Sequence, residues 1–321
     1  MLRKISVPQM PYVFTDKDLP RLSTKDNIIL FYALDAGVEP HFNTLCKLAI
    51  DLKKLGYFPI FIKCNRYFSR CPVMEMLSVE HGNASSQISV CVRCQDTFSN
   101  YLHSLKLPYI NIGSFPINES LLENPPRTIG ENLEKKKKLS SLAEKLGYLA
   151  FSDTVLNSKD SRSILADEDH YNRWKLYYES AVKSFSLAQY LHKKIKPKGV
   201  VYFDTYVIHQ APVLSAYENG IKTYGCKHSY PDTQNIRLEN HSSMTLKANL
   251  HKSWHDFKSY VLPSKTINQI FFNLNERLTG GGTNWFFKKP DDESNEFLDA
   301  LREQSRDKKI ICVFPSSLDE V

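Results

Sequence analysis

The sequence predicts an α/β fold in which strand–helix units build a parallel sheet covered by helices on both faces. Three observations carry this expectation. Short apolar runs alternate with longer segments whose apolar residues recur at helical spacing. The connections between them are short. The runs are apolar at successive positions, as strands buried on both faces must be.

Residues 27–34 (NIILFYAL) form the first run, and Asp35-Ala36-Gly37 turns the chain. Residues 41–54 then place Leu45, Leu48, Ala49 and Leu52 at helical spacing. After Gly56, residues 57–63 (YFPIFIK) read as the next strand, completing a β-α-β unit. A looser region, 64–89, leads to a helix at 91–105 and a short strand at 109–112. Residues 118–167 carry Pro125-Pro126 and a lysine run and yield no firm element. Helical spacing returns over 168–194, with Tyr171, Trp174, Tyr177 and Tyr178 reading as a face in the core, and Lys196-Pro197-Lys198-Gly199 stops that helix. A buried strand at 199–203, a helix at 207–218 ended by Asn219-Gly220, and a strand at 221–226 repeat the pattern. Beyond 247 the chain reads as helical to about 276, breaks at Gly280-Gly281-Gly282, resumes as a helix over 292–306, and enters a buried strand at 308–314. There is no internal repeat of solenoid length.

Composition bounds the function. The 42 Lys and Arg against 35 Asp and Glu leave a net charge of +7, scattered except for Lys135 to Lys138. That supports a modest attraction to anions or to an anionic membrane face, and falls short of a nucleic-acid footprint. No stretch approaches the roughly 18 apolar residues that span a bilayer, and the N-terminus lacks the apolar core of a signal peptide. The expected location is therefore cytoplasmic, where clustered cysteines point to metal or reactive thiols before disulfides.

Several constellations could carry chemistry. The loop from Asp35 to His41 lies where the carboxyl ends of parallel strands meet helices, the usual ligand position in an open α/β sheet. Glu39 or His41 could act there as a general base that takes a proton from an attacking hydroxyl. The alternative is a plain helix start, with Glu39 favouring the dipole and His41 exposed. Cys64 and Cys71, with six residues between them, and after nineteen more the C-x-x-C pair Cys91 and Cys94, could hold zinc or an iron–sulfur cluster. Otherwise they pack as small hydrophobes. Lys227, His228 and Ser229 follow a strand, as does Asp204, and are of types that bind a sugar hydroxyl or phosphate. Ser316 and Ser317 precede Asp319 and Glu320, either as an anion cradle or as an N-cap with its capping box.

Taken together, Gly37-Val38-Glu39-Pro40-His41 with Leu48-Ala49-x-x-Leu52, the four cysteines, and Phe314-Pro315-Ser316-Ser317-Leu318-Asp319-Glu320 resemble capsule and surface-polysaccharide glycosyltransferase-like proteins of bacteria. The resemblance implies a GT-B architecture: two Rossmann-like domains, the N-terminal one on the acceptor side and the C-terminal one binding a nucleotide-sugar donor. It implies an acceptor-side domain over residues 1–262, a helical linker over 263–307, and the first strand of an incomplete donor-side domain over 308–321. On this basis Glu39 and His41 are catalytic; Gly37, Asp204, Lys227, His228 and Ser229 bind substrate; and Ser316, Ser317, Asp319 and Glu320 bind the donor. The implied partners are a glycan or lipid-linked glycan acceptor and a peripheral contact with the inner face of the membrane, with no nucleic acid. A nucleotide-sugar epimerase of the same fold and a non-catalytic glycan-binding or assembly module are the competing expectations.

Overall fold

A computed structural model describes residues 13–23, 27–79, 83–126, 141–158, 167–203, 206–228 and 236–240, with residue 264. The chain divides into two units, 1–246 and 247–321. The elements below all belong to the first; the expected linker and donor-side strand lie outside the described residues, apart from residue 264.

In chain order the elements begin with β1 (Val13–Phe14), a 3-10 turn (Asp16–Asp18), α1 (Leu19–Leu22) and β2 (Ile28–Tyr32). They continue through α2 (Glu39–Lys54), β3 (Phe58–Ile62), α3 (Pro72–Met76), α4 (Ala84–Ser104), β4 (Tyr109–Ile110) and α5 (Glu119–Glu123). Then come α6 (Leu142–Ser158), α7 (Glu168–Ile195), β5 (Gly199–Phe203), α8 (Val207–Glu218), β6 (Lys222–His228) and β7 (Ile236–Asn240).

The strands form one sheet in the order β1-β4-β3-β2-β5-β6-β7. All pairings are parallel except β6 with β7. With the two edge strands β1 and β7 set aside, β2 is the first strand in the chain and lies at the centre. The second and third (β3, β4) extend to one side and the fourth and fifth (β5, β6) to the other. This is the Rossmann-like strand order, and it reverses direction between β2 and β5.

Burial explains the apolar runs. Every residue of β2 and β5 is buried. Successive side chains of a strand point to opposite faces, so β2 feeds two cores. Ile28, Leu30 and Tyr32 pack with Trp174, Tyr177, Phe185 and Ile208 from α7 and α8. Ile29 and Phe31 pack with Phe42, Leu45 and Ala49 of α2 and Phe98 and Leu102 of α4. The aromatic face expected on the 168–194 helix is confirmed: Trp174, Tyr177 and Tyr178 are buried. Trp174 Nε1 donates to Gly147 O at 3.0 Å and Tyr178 OH to Leu121 O at 3.0 Å, so each polar tip has a partner. The stop at Lys196 also stands, since Lys196 takes the left-handed conformation (φ 53°) and its N–H returns to His192 O.

Three expectations on local structure change. The region 64–89 contains α3 and the first turns of α4, whose N-cap Asn83 accepts from Ser86 N. The unassigned stretch 118–167 contains α6, opened by a capping box in which Ser141 N donates to Glu144 Oε2 and Glu144 N to Ser141 Oγ. And the strand expected to end at 226 runs on through Lys227 and His228, because β7 pairs with it antiparallel, Lys227 opposite Arg237 and His228 opposite Ile236. Lys227 and His228 therefore lie in a strand and not in a post-strand loop.

Candidate active site at the crossover between β2 and β5

Crossover connections leave β2 and β5 toward opposite sides of the sheet, which opens a ligand position beyond their carboxyl ends. The chain leaving β2 turns at once: Val38 N donates to Asp35 O at 2.7 Å, and His41 N and Phe42 N both donate to Val38 O as α2 begins. Glu39 and Pro40 form the first helical turn, where Pro lacks only an N–H that would be unpaired anyway. Glu39 is exposed there.

Asp35 and His41 are both buried, with Asp35 fully so. One Asp35 oxygen, Oδ2, lies 3.1 Å from His41 Nδ1. The other, Oδ1, lies 3.0 Å from Nε2 of His209, the third residue of α8. This second contact is an approach at ion-pair distance without the alignment of a hydrogen bond, and His209 Nδ1 is buried with no hydrogen-bond partner among the described residues. Burial alone would raise the Asp35 carboxyl, but the closeness of the two imidazoles, His209 before His41, outweighs it and holds the group below the usual carboxylate range. An ionised carboxylate only accepts, so His41 carries a proton on Nδ1 where it meets Asp35.

The surroundings fix both rings. His41 stacks on Phe203, the last residue of β5, with centroids 3.9 Å apart and planes 16° from parallel. Tyr206 lies 6.1 Å from the His41 ring and 6.3 Å from the His209 ring. The start of α8 is held by Asp153 of α6, both of whose carboxyl oxygens accept from Val207 N. On the other side, Gly37 N donates to Cys94 Sγ at 3.3 Å. A Cβ at Gly37 would stand 2.7 Å from Val73 Cγ1, so the loop can pack this closely on α3 and α4 only with glycine there.

The arrangement can do acid–base chemistry. Asp35 sets the tautomer and orientation of His41 and compensates positive charge when its Nε2 takes a proton, the same division of labour as in an Asp–His pair of a hydrolase. The two histidines are not equivalent. The His41 side chain keeps 11% of its surface exposed and His209 none, so His41 is the one a substrate can reach.

Known proteins do not name this site. No family model, curated protein or solved structure gives a significant match to the chain.

The structure thus brings together Gly37 and His41, and adds Asp35, His209, Phe203 and Tyr206, which sequence reasoning did not single out. Asp204, Ser229, Ser316, Ser317, Asp319 and Glu320 lie outside the described residues. Of the four expected metal ligands, Cys71 belongs to one core cluster, and Cys64, Cys91 and Cys94 pack against it. All are free thiols. Burial pushes Cys64 up to about 12 and Cys94 up to about 11, which keeps them protonated and poor nucleophiles as they stand. Among the described residues no group of three or more His, Cys, Asp or Glu side chains is arranged to hold a metal ion, and no helix is long and apolar enough to cross a membrane.

Proposed function

We propose that the chain is a GT-B glycosyltransferase, or the N-terminal portion of one, that moves a sugar from a nucleotide-sugar donor to a surface or capsular polysaccharide. The observation that supports this best is the buried Asp35 carboxylate, which engages His41 and His209 from two elements at the point where the sheet order reverses. His41 Nε2 accepts the proton of the acceptor hydroxyl as its oxygen forms a bond to the anomeric carbon. The bond from that carbon to the phosphate oxygen breaks, and the nucleotide leaves with the electron pair. Asp35 offsets the charge on the His41 ring. Glu39, exposed in the first helical turn, favours the helix dipole in this reading and is not the base. Gly37 keeps the loop close to the neighbouring helices. The resemblance would also give Asp204, Lys227, His228 and Ser229 a role in substrate binding, and Ser316, Ser317, Asp319 and Glu320 a role in donor binding.

The test uses full-length protein with UDP-, GDP- and CMP-activated sugars and bacterial surface glycans as acceptors, measuring nucleotide release. Acceptor-dependent release that His41→Ala lowers by about 100-fold or more supports the reading. Conversion of the donor sugar without acceptor would move the assignment to an epimerase. Glycan binding with no release from any donor would make this a binding module.

A further inference from the structure

We infer that the amino pole of the sheet, at the opposite end of the strands from the Asp35–His41 site, docks the protein on an anionic lipid surface. In a parallel sheet each helix runs back along the strands, so the helix C-termini gather beside the strands' amino ends. Register and hydrogen bonds tie those ends together here. Ile29 lies opposite Gly199 and Gly199 opposite Lys222. Phe58 N donates to Asn27 O and Lys198 N to Ile28 O, both at 2.8 Å, and Lys53 Nζ reaches Lys106 O at 3.3 Å. Lysines that are scattered along the sequence therefore meet on one face.

α2 and α7 each carry two lysines in the last turn, where they favour the helix dipole. The dipole does not account for Lys106, Lys196, Lys198 and Lys222, which lie past the helix ends and are exposed. Against these eight lysines the same segments (51–58, 103–109, 193–199 and 217–222) hold two acids, Asp51 and Glu218, and no arginine. Asp51 is already paired with Lys54 at 2.8 Å. Two of the lysines also stand where the backbone favours glycine. α2 and α8 turn toward the next strand at Gly56 and Gly220, with φ 86° and 66°. α4 and α7 make the corresponding left-handed turn at Lys106 and Lys196, with φ 52° and 53°, a region in which a side chain is disfavoured.

The same pole carries the two most exposed large apolar side chains among the described residues, Leu55 at 74% and Tyr217 at 68%. Leu55 is the C-cap of α2 and Tyr217 lies in the last turn of α8, so one stands on each face of the sheet. A bilayer interface takes both features: the lysines meet lipid phosphates, the leucine enters the acyl boundary, and the tyrosine settles at headgroup level. A nucleic acid would use the lysines but leave the apolar pair without a partner, and the arginine fork that suits phosphate recognition is missing from these segments. A chain docked this way presents the Asp35–His41 site to the aqueous phase.

The experiment reads membrane partition and not activity, so its failure leaves the glycosyltransferase reading standing. Full-length protein is sedimented with vesicles of phosphatidylcholine alone and of phosphatidylcholine with about 30% phosphatidylglycerol. The expected result is binding to the anionic vesicles that is lost in about 0.5 M salt, and binding at least about tenfold weaker to the neutral ones. A lysine near such a surface contributes about fivefold in affinity, so Lys106→Gly with Lys196→Gly should weaken partition by about 25-fold. Glycine suits both turns, so this variant should keep the wild-type unfolding transition. Leu55→Ser with Tyr217→Ser should weaken partition by about tenfold. Arg93→Gln with Lys175→Gln removes the same charge from exposed positions of α4 and α7 away from the pole, and should change it by less than about twofold. The inference is overturned by absent or salt-insensitive binding to anionic vesicles, or by a lysine variant that binds as wild type does. A control pair that loses as much as the lysine pair overturns it too, since net charge alone would then be acting. So does tighter binding to a short DNA duplex at the same salt, which would give the pole to nucleic acid.

Discussion

Acidification should destabilise this protein through His192. The ring is buried between β2 and α8: Nε2 lies 3.0 Å from Tyr32 OH and Nδ1 lies 3.0 Å from Ser215 Oγ. Burial pushes the imidazole from 6.5 down to about 3, so the folded protein holds it neutral where the unfolded chain protonates it. The unfolded state therefore binds the extra proton below pH 6.5, and the stability linked to His192 is complete above that value and is lost as pH falls toward about 3. One unit corresponds to about 1.4 kcal/mol, so moving from about pH 8 to about pH 5 costs about 2 kcal/mol through this residue alone. For a unit of this size that is roughly 4–8 °C in Tm. Other groups titrate in the same window, so the quantity to measure is a difference. Urea or thermal unfolding of wild type and His192→Asn is followed at both pH values. The variant is less stable throughout, because two buried hydroxyls lose their ring partner, but its pH slope should be shallower by about 2 kcal/mol. Equal slopes would refute the reasoning.

Asp153 should act in the opposite sense. Burial raises its carboxyl well above 3.8, so its contribution is complete below that value and lost as pH rises through the folded value. Asp153→Asn retains an oxygen for Val207 N and should gain on wild type at about pH 8 relative to about pH 5 in denaturant titrations; an equal loss at both would count against a neutral buried acid. Gly37→Ala should cost about 1–3 kcal/mol in unfolding free energy, since its Cβ meets Val73 Cγ1 at 2.7 Å. Adding Val73→Ala should recover part of that loss, and a Gly37→Ala protein as stable as wild type would show that the loop moves freely.

The parts of the fold visible in the sequence are those whose burial leaves a local trace. β2, β3 and β5 are apolar at successive positions because both faces are covered, and α2, α7 and α8 carry either a clear stripe or a clear stop such as Lys196-Pro197. Elements defined by a distant partner leave no such trace. β1 is two residues that become a strand only by pairing with β4, and β7 extends β6 past its expected end. α6 is apolar around much of its circumference, since it packs against both α7 and α8, so no helical stripe stands out. Its capping box, Ser141 with Glu144, was the readable signal.

The candidate site shows the same division. Gly37 and His41 were legible because they sit in the loop that follows the first strand. Asp35 stands in that loop too, but its role depends on His209, which the sheet order alone brings next to it. His209 looked like any residue of an apolar helix. The usable signal would have been an ionisable residue just beyond each of two buried strands flanking the point where strand order reverses. The cysteine set was legible as spacing, whereas the contact of Gly37 N with Cys94 Sγ was not, since it depends on how closely the Gly37 loop packs on α3 and α4.

The central claim is that Asp35 and His41 act as one unit at a reaction centre. Acceptor-dependent nucleotide release by full-length wild type, Asp35→Asn, His41→Ala and the double variant tests it most directly, each rate being corrected for the folded fraction. Residues that act together are not additive. The expected result is a large loss in each single variant, of about 100-fold or more for His41→Ala, and a double variant no slower than the worse single one. Losses that multiply in the double variant, or single variants as fast as wild type, would contradict the account.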